Sequence, residues 1–186
     1  LWEHGCDVTV MLACGEPKAK DAIEMFSLVE ATSIEIVRYD NNLTVLKSLL
    51  NNAQIIVEAV FGTGFSGTLD SYLSVLAQAV NAAEGKVVSI DVPAGADCDK
   101  ASVQGTAFKA DMTIAISAFK PIHIMKPYNQ YCGKLAVADI GITNDDFKKI
   151  NSITSFKLDT SEIRAMLPKR KAVSNKGTYG HALCVC

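Results

Sequence analysis

Two loops of this chain hold the residue types that chemistry on a small molecule requires. The first is Glu58-Ala59-Val60-Phe61-Gly62-Thr63-Gly64-Phe65-Ser66-Gly67-Thr68, with three glycines in six residues. Glycine permits a tight turn and close approach of a ligand to the backbone. A helix beginning near Leu69 would turn its unpaired N–H groups toward this loop and favour a phosphate. A plain strand-to-helix turn fits the same motif, and the glycines alone leave both readings open. The second loop is Ser89-Ile90-Asp91-Val92-Pro93-Ala94-Gly95-Ala96-Asp97. Asp91 directly follows an apolar run and precedes a Pro-Gly turn. That puts a partly desolvated carboxylate at the edge of a sheet, a setting suited to moving protons. An aspartate that merely caps its own turn fits the spacing equally well.

The elements that would position these loops alternate along the chain. Leu1–Gly5 reads as the last turn of a helix stopped by Gly5, and residues 6–12 as a strand. A helix passing straight into a buried strand ordinarily has a strand before it, so a strand and a loop are expected upstream of Leu1. Residues 18–30 are helix-like, 34–37 strand-like, and a short helix is expected near 45–50. Apolar strands follow at 55–60, 87–90, 113–116 and 135–138. Leu69, Tyr72, Leu73, Leu76, Val80 and Ala83 share one helical face. Strands apolar throughout and separated by amphipathic helices predict a doubly wound, Rossmann-like α/β/α fold with a mostly parallel sheet covered on both faces. In such sheets ligands bind beyond the carboxyl ends of the strands, where both loops lie.

After Gly141 the chain becomes polar and charged. A short helix is expected at 161–167, with its N-cap near Ser161 and its end at Pro168. Residues 143–171 read as a linker between a domain at 1–142 and the start of another at 172–186, whose run Ala182-Leu183-Cys184-Val185-Cys186 has a strand's character.

Composition narrows the function classes. Eighteen basic and twenty acidic residues leave a formal charge of −2, which gives no electrostatic reason to expect nucleic acid or an anionic membrane as partner. The six cysteines form no CxxC pair. They read as reduced thiols in a cytoplasmic protein, with no structural zinc site. Lys120, before Pro121, is compatible with a place near the site and equally with a solvated loop. His4, His123 and His181 are far apart in sequence and suggest no triad.

Taken together, the two loops resemble the NAD(P)H-hydrate epimerase family, the YjeF N-terminal domain. Ile56 through Gly67 is similar to that family's "VDAIFGTG" segment, and Ser89 through Gly95 to its "DIPSG". Ala110-Asp111-Met112-Thr113-Ile114, with Lys120-Pro121 after it, resembles "ADLT…KP", and Gly133 through Ile142 resembles "G…DIGI". Arg170 and Asn175 through His181 are similar to the "R…HKGxxG" opening of ADP-dependent NAD(P)H-hydrate dehydratases, which are often fused after the epimerase. The resemblance implies a bifunctional repair protein whose 1–142 domain interconverts the R and S epimers of NADHX and NADPHX.

From the resemblance, Asp91 is the expected catalytic group, and Gly62, Thr63, Gly64, Phe65, Ser66, Gly67, Thr68 and Asp91 the substrate-binding set. It also implies a homo-oligomer and a potassium ion near the site. ADP or ATP with magnesium belongs only to the dehydratase, of which just the opening segment is present. Lys176 would contact nucleotide in the complete protein. Two potassium positions depart from the pattern: Glu58 stands for an aspartate, and Ala94, with only its carbonyl to offer, for a serine. The family's "NNGGDG" loop is expected just before Leu1, so residues 1–186 alone are expected to show little epimerase activity. Two rivals remain. A non-catalytic nucleotide-binding or dimerisation module gains from the loss of serine at 94. An ordinary Rossmann oxidoreductase would need GxGxxG after its first strand and an acidic residue ending its second; neither is visible.

Overall fold

The computed structural model describes residues 1–150, 158–169, 171–181 and 183. The chain divides into two compact units, Leu1–Ile142 and Thr143–Cys186.

In the first unit a 3-10 turn, Trp2–His4, ends at Gly5, whose φ of 81° is the left-handed stop expected of it. There follow β1 (Thr9–Leu12), α1 (Lys20–Glu30), β2 (Glu35–Arg38), α2 (Leu43–Asn52), β3 (Ile55–Glu58), α3 (Ser71–Asn81) and β4 (Lys86–Ile90). A small antiparallel hairpin, β5 (Ala96–Asp97) and β6 (Ser102–Val103), precedes β7 (Met112–Ile116), α4 (Pro121–Ile124) and β8 (Lys134–Ala138).

Every long strand pairs in parallel, as their uninterrupted apolar runs predict. The ladders form two groups, β1–β2 and β3–β4–β7–β8. This qualifies the expectation of one sheet covered on both faces. Ile55 and Val57, on one face of the edge strand β3, are 60% and 48% exposed. Helix α1 buries none of its residues.

The core sits under α2 and α3. Asn42 caps α2 by accepting the Thr44 and Val45 N–H groups, and the helix buries Leu46 and Leu50, one turn apart. Asp70 caps α3, which buries Leu73, Leu76, Ala77 and Val80 against Val87 and Phe108. Full burial of a side chain such as Leu76 contributes about 1.5–3 kcal/mol. A row of polar residues, Glu58, Ser89 and Thr113, crosses β3, β4 and β7 at matched register and is buried.

In the second unit are α5 (Asn144–Lys148), α6 (Thr160–Met166) and a 3-10 turn at Lys176–Tyr179. The cap of α6 is Asp159, not Ser161: Asp159 accepts the Glu162 N–H, and the Glu162 carboxylate accepts the Asp159 N–H in return. Aspartate two residues earlier allows this reciprocal box, which Ser161 cannot make from inside the first turn. Arg170, Ala182, Cys184, Val185, Cys186 and the Lys176 side chain, which carried the expected strand and the nucleotide contact, lie outside the described residues. Among those described, no helix is long and apolar enough to cross a membrane.

Candidate active site

Strand β4 runs between β3 and β7, so the loops leaving these three strands meet at one edge. Two of them leave through the same tight turn. The Val92 N–H donates to the Ile90 carbonyl across Asp91 (2.9 Å), and the Ala118 N–H to the Ile116 carbonyl across Ser117 (2.7 Å). Both central residues take positive φ, 69° and 64°. Such three-residue turns are rare, and residues held this way cost roughly 1–3 kcal/mol and persist only where their surroundings fix them.

The Asp91 carboxylate is held on one side. Oδ1 accepts the Ile116 N–H at 3.0 Å and also the Lys120 ammonium. Oδ2 lies toward the glycine loop, 3.6 Å from where a Cβ on Gly62 would stand. The two loops singled out in the sequence therefore converge, and a glycine at 62 keeps the space beside the carboxylate clear.

The glycine loop presents Thr63, Gly64, Ser66, Gly67 and Thr68 to solvent, while Phe61 and Phe65 stack at 5.1 Å and pack on the core. Gly67 takes a φ of 95°, which few side chains tolerate. The Phe65 N–H closes the turn on the Gly62 carbonyl (3.2 Å), and the Cys98 thiol donates to the Thr63 carbonyl (3.4 Å). One expectation is corrected here. The helix after the loop begins at Ser71, not near Leu69, and the Asp70 carboxylate already accepts the Leu73 N–H at 2.7 Å. An acidic cap at that N-terminus competes with a phosphate, so the loop's own backbone is left to meet an anion.

Glu58 ends β3 in a different state. It is 3% exposed. Oε2 accepts the Ser89 hydroxyl (2.7 Å) and the Ala94 N–H (3.2 Å), and Oε1 accepts the Val60 N–H (2.9 Å). Burial pushes its carboxyl above the ordinary range, with these three hydrogen bonds opposing the shift. A potassium ion needs several oxygens at once. Here Ala94 turns an N–H toward the carboxylate, and its carbonyl already accepts the Phe108 N–H at 2.9 Å. The Glu58 and Ala94 groups thus do not fit a potassium site. Among the described residues no cluster of three or more His, Cys, Asp or Glu side chains converges as a metal site either.

Two further residues hold this edge, one of the two places open to Lys120 being decided here. Lys120 is not a solvated loop lysine; its side chain is 19% exposed and pairs with Asp91. His123 is 2% exposed. Its Nδ1 accepts the Lys120 N–H at 2.9 Å, so Nε2 carries the proton and donates to the Asp91 carbonyl at 2.8 Å. Burial, helped by the Lys120 ammonium and opposed by that carbonyl, lowers its pKa and keeps it neutral. The available signal was the Lys-Pro-x-His spacing after a strand, which puts a ring nitrogen within reach of the N-cap amide.

Residues 1–122 match the model of the family described as YjeF-related protein N-terminus. The chain belongs to that family. It is 32% identical over 185 residues to the bifunctional NAD(P)H-hydrate repair enzyme of Coxiella burnetii, covering 99% of this chain and 36% of that protein. It is 34% identical over 144 residues to the NAD(P)H-hydrate epimerase of Levilactobacillus brevis, covering 77% and 64%. The crystal structure of yeast YNL200c shares the fold, with a TM-score of 0.65, 18% identity, and coverage of 86% and 65%. The chain thus spans about a third of the length of the bifunctional relative. With the fold class and the family, the resemblance drawn from the motifs is established.

Proposed function

We propose that residues 1–142 form an epimerase domain for hydrated NAD(P)H, with Asp91 as the acid–base group and the Gly62–Thr68 loop, including Phe65, lining the substrate site. The observation that carries this reading is the 3.6 Å approach of the Gly62 Cβ position to Asp91 Oδ2, in a chain whose relatives are named epimerases or repair enzymes. A non-catalytic module is not favoured, because a strained turn and an ion pair hold a carboxylate toward an exposed glycine loop.

The chemistry balances without a redox partner. Protonation of the C6 hydroxyl lets it leave as water, taking the C–O electron pair, and the ring nitrogen's lone pair stabilises the cation. Water then adds to the opposite face and returns the proton. The Asp91–Lys120 pair has both things this needs: a mobile proton and a negative charge facing the cationic ring.

Residues 143–171 serve in this reading as a linker, and 172–186 as the start of a dehydratase-like domain; any use of ADP or ATP with magnesium belongs there. The natural protein is proposed to act in the cytoplasm as a homo-oligomer. The 186 residues contain no Asn-Asn-Gly-Gly-Asp-Gly run, so turnover by them alone is proposed to be low. The test is interconversion of separated R- and S-NADHX with protein in excess over substrate. Interconversion by wild type that Asp91→Asn abolishes is the expected result; equal rates in both would overturn the assignment.

A further inference from the structure

We propose that His123 is a positioning residue, a two-ended brace whose imidazole fixes Asp91 and Lys120 relative to each other. This rests on the reading of Asp91 as the acid–base group. Three contacts close a triangle. His123 Nε2–H donates to the Asp91 carbonyl, Nδ1 accepts the Lys120 N–H, and the Lys120 ammonium reaches back to the Asp91 carboxylate while also donating to the Ile116 carbonyl at 2.7 Å. The His123–Lys120 contact is a local cap of α4, but the two contacts to Asp91 cross from the loop after β7 to the loop after β4, so local turn geometry alone does not produce the triangle.

The reason for a brace is the backbone at Asp91. Its left-handed φ is uncommon for an L-residue, aspartate included, and persists where neighbouring groups hold it. The Asp91 N–H is tied to the Ile114 carbonyl at 2.9 Å, which fixes one side of the residue. His123 fixes the other side through the carbonyl, and rotation about the Cα then leaves the side chain aimed at Gly62. Serving both ends requires one donor and one acceptor about a ring's width apart, and of the imidazole's protonation states only the neutral Nε2–H tautomer supplies them in this order. The ring, carried on α4, meets Phe119 edge-on with centroids 6.0 Å apart.

A histidine that merely fills core volume and one that braces a carboxylate predict opposite rankings of two substitutions. His123→Leu conserves apolar volume and removes both hydrogen bonds. His123→Gln keeps a donor for the Asp91 carbonyl but packs less well. The measurement is amide hydrogen exchange, residue by residue, on the 186-residue chain. The probe is the Ile116 N–H, which donates to Asp91 Oδ1, with the β1–β2 ladder amides as an internal reference. The expected result is about tenfold faster exchange at Ile116 in His123→Leu, corresponding to one lost hydrogen bond, little change in His123→Gln, and unchanged β1–β2 amides in both.

In the NADHX assay under protein excess, the Leu variant should lose rate without weaker substrate binding, and Gln should recover most of it. Ile116 protection that survives in Leu, or a Gln variant more damaged than Leu at that amide, would overturn the brace. Should wild type fail to interconvert NADHX while the exchange pattern holds, the brace stands and the catalytic reading of Asp91 falls.

Discussion

Glu58 and Asp91 sit at the carboxyl ends of neighbouring parallel strands, close enough that Ser89 and Ala94, which flank Asp91, both donate to Glu58. Their environments nonetheless differ in kind. Glu58 is met by three neutral donors, one from β4 and two from its own and the adjacent loop, with no cation among them. Asp91 is met by an ammonium and one N–H on a single oxygen, and its other oxygen is turned toward an exposed glycine loop. A buried carboxylate surrounded by donors stitches backbone together. A carboxylate held from one side can exchange a proton with something that arrives from the other. Position at a strand end is therefore insufficient to mark a reactive acid; the number and sidedness of its donors decide.

The sharpest way to break this contrast is to neutralise each carboxylate in turn. Asp91→Asn should lower epimerisation by roughly 10²–10⁴-fold, the range for loss of a positioned acid–base group, well beyond the loss of folded protein that follows from leaving Lys120 without its counter-ion. Glu58→Ala should do the reverse. It strands the Ser89 hydroxyl and the Val60 and Ala94 N–H groups in the interior, at about 3 kcal/mol in all, and activity should fall only as far as the folded fraction does. Denaturant unfolding beside the NADHX assay separates the two; an active, destabilised Asp91→Asn would reverse the assignments.

A smaller effect concerns pH. Because burial raises the native pKa of Glu58 above its ordinary 4.5, unfolding releases a proton in the window between that value and the raised one. The group's contribution is fully present below about 4.5 and is lost as pH rises through its native pKa. Denaturant midpoints measured across that window should fall less steeply with rising pH in Glu58→Gln than in wild type. A parallel pair of curves would mean that the native carboxyl titrates as an ordinary one. His123 has the opposite sign. With its pKa lowered from 6.5, its stabilisation is present above 6.5 and is lost as pH falls through the native value, so His123→Gln should flatten the acid side of the wild-type curve.

The smallest expected effect is that of potassium. With three donors on Glu58 and the Ala94 carbonyl engaged, replacing sodium or choline by potassium at fixed ionic strength should shift the thermal midpoint by less than about 1 °C; a stabilising ligand present at many times its Kd would give several degrees. A saturable, potassium-specific rise would show that the Glu58 network opens to admit the ion.

Much of this architecture was legible in the chain itself. Uninterrupted apolar runs such as Ile55-Ile56-Val57 and Val87-Val88 imply strands of a parallel sheet, though Ile55 and Val57 lie exposed on the edge strand β3, and the spacing of Leu73, Leu76 and Val80 implies a helix with one buried face, because these periodicities reflect nearest-neighbour geometry along the backbone. The same locality made Asp91 and the glycine loop visible, each as a short motif at a strand end. His123 was not visible as a functional residue, and a place near the site for Lys120 could not be told from a solvated loop, since 32 and 29 positions separate them from Asp91. Their meeting depends on β4 and β7 lying side by side, which no local pattern encodes. Nor could the sequence show that Asp70 would occupy the helix N-terminus offered to a phosphate, or that the extra methylene of Glu58 would be met by Ala94's amide. Side-chain identity and local period are written in the chain; which donors surround a carboxylate, and from which side, is decided only when strands distant in sequence are packed edge to edge.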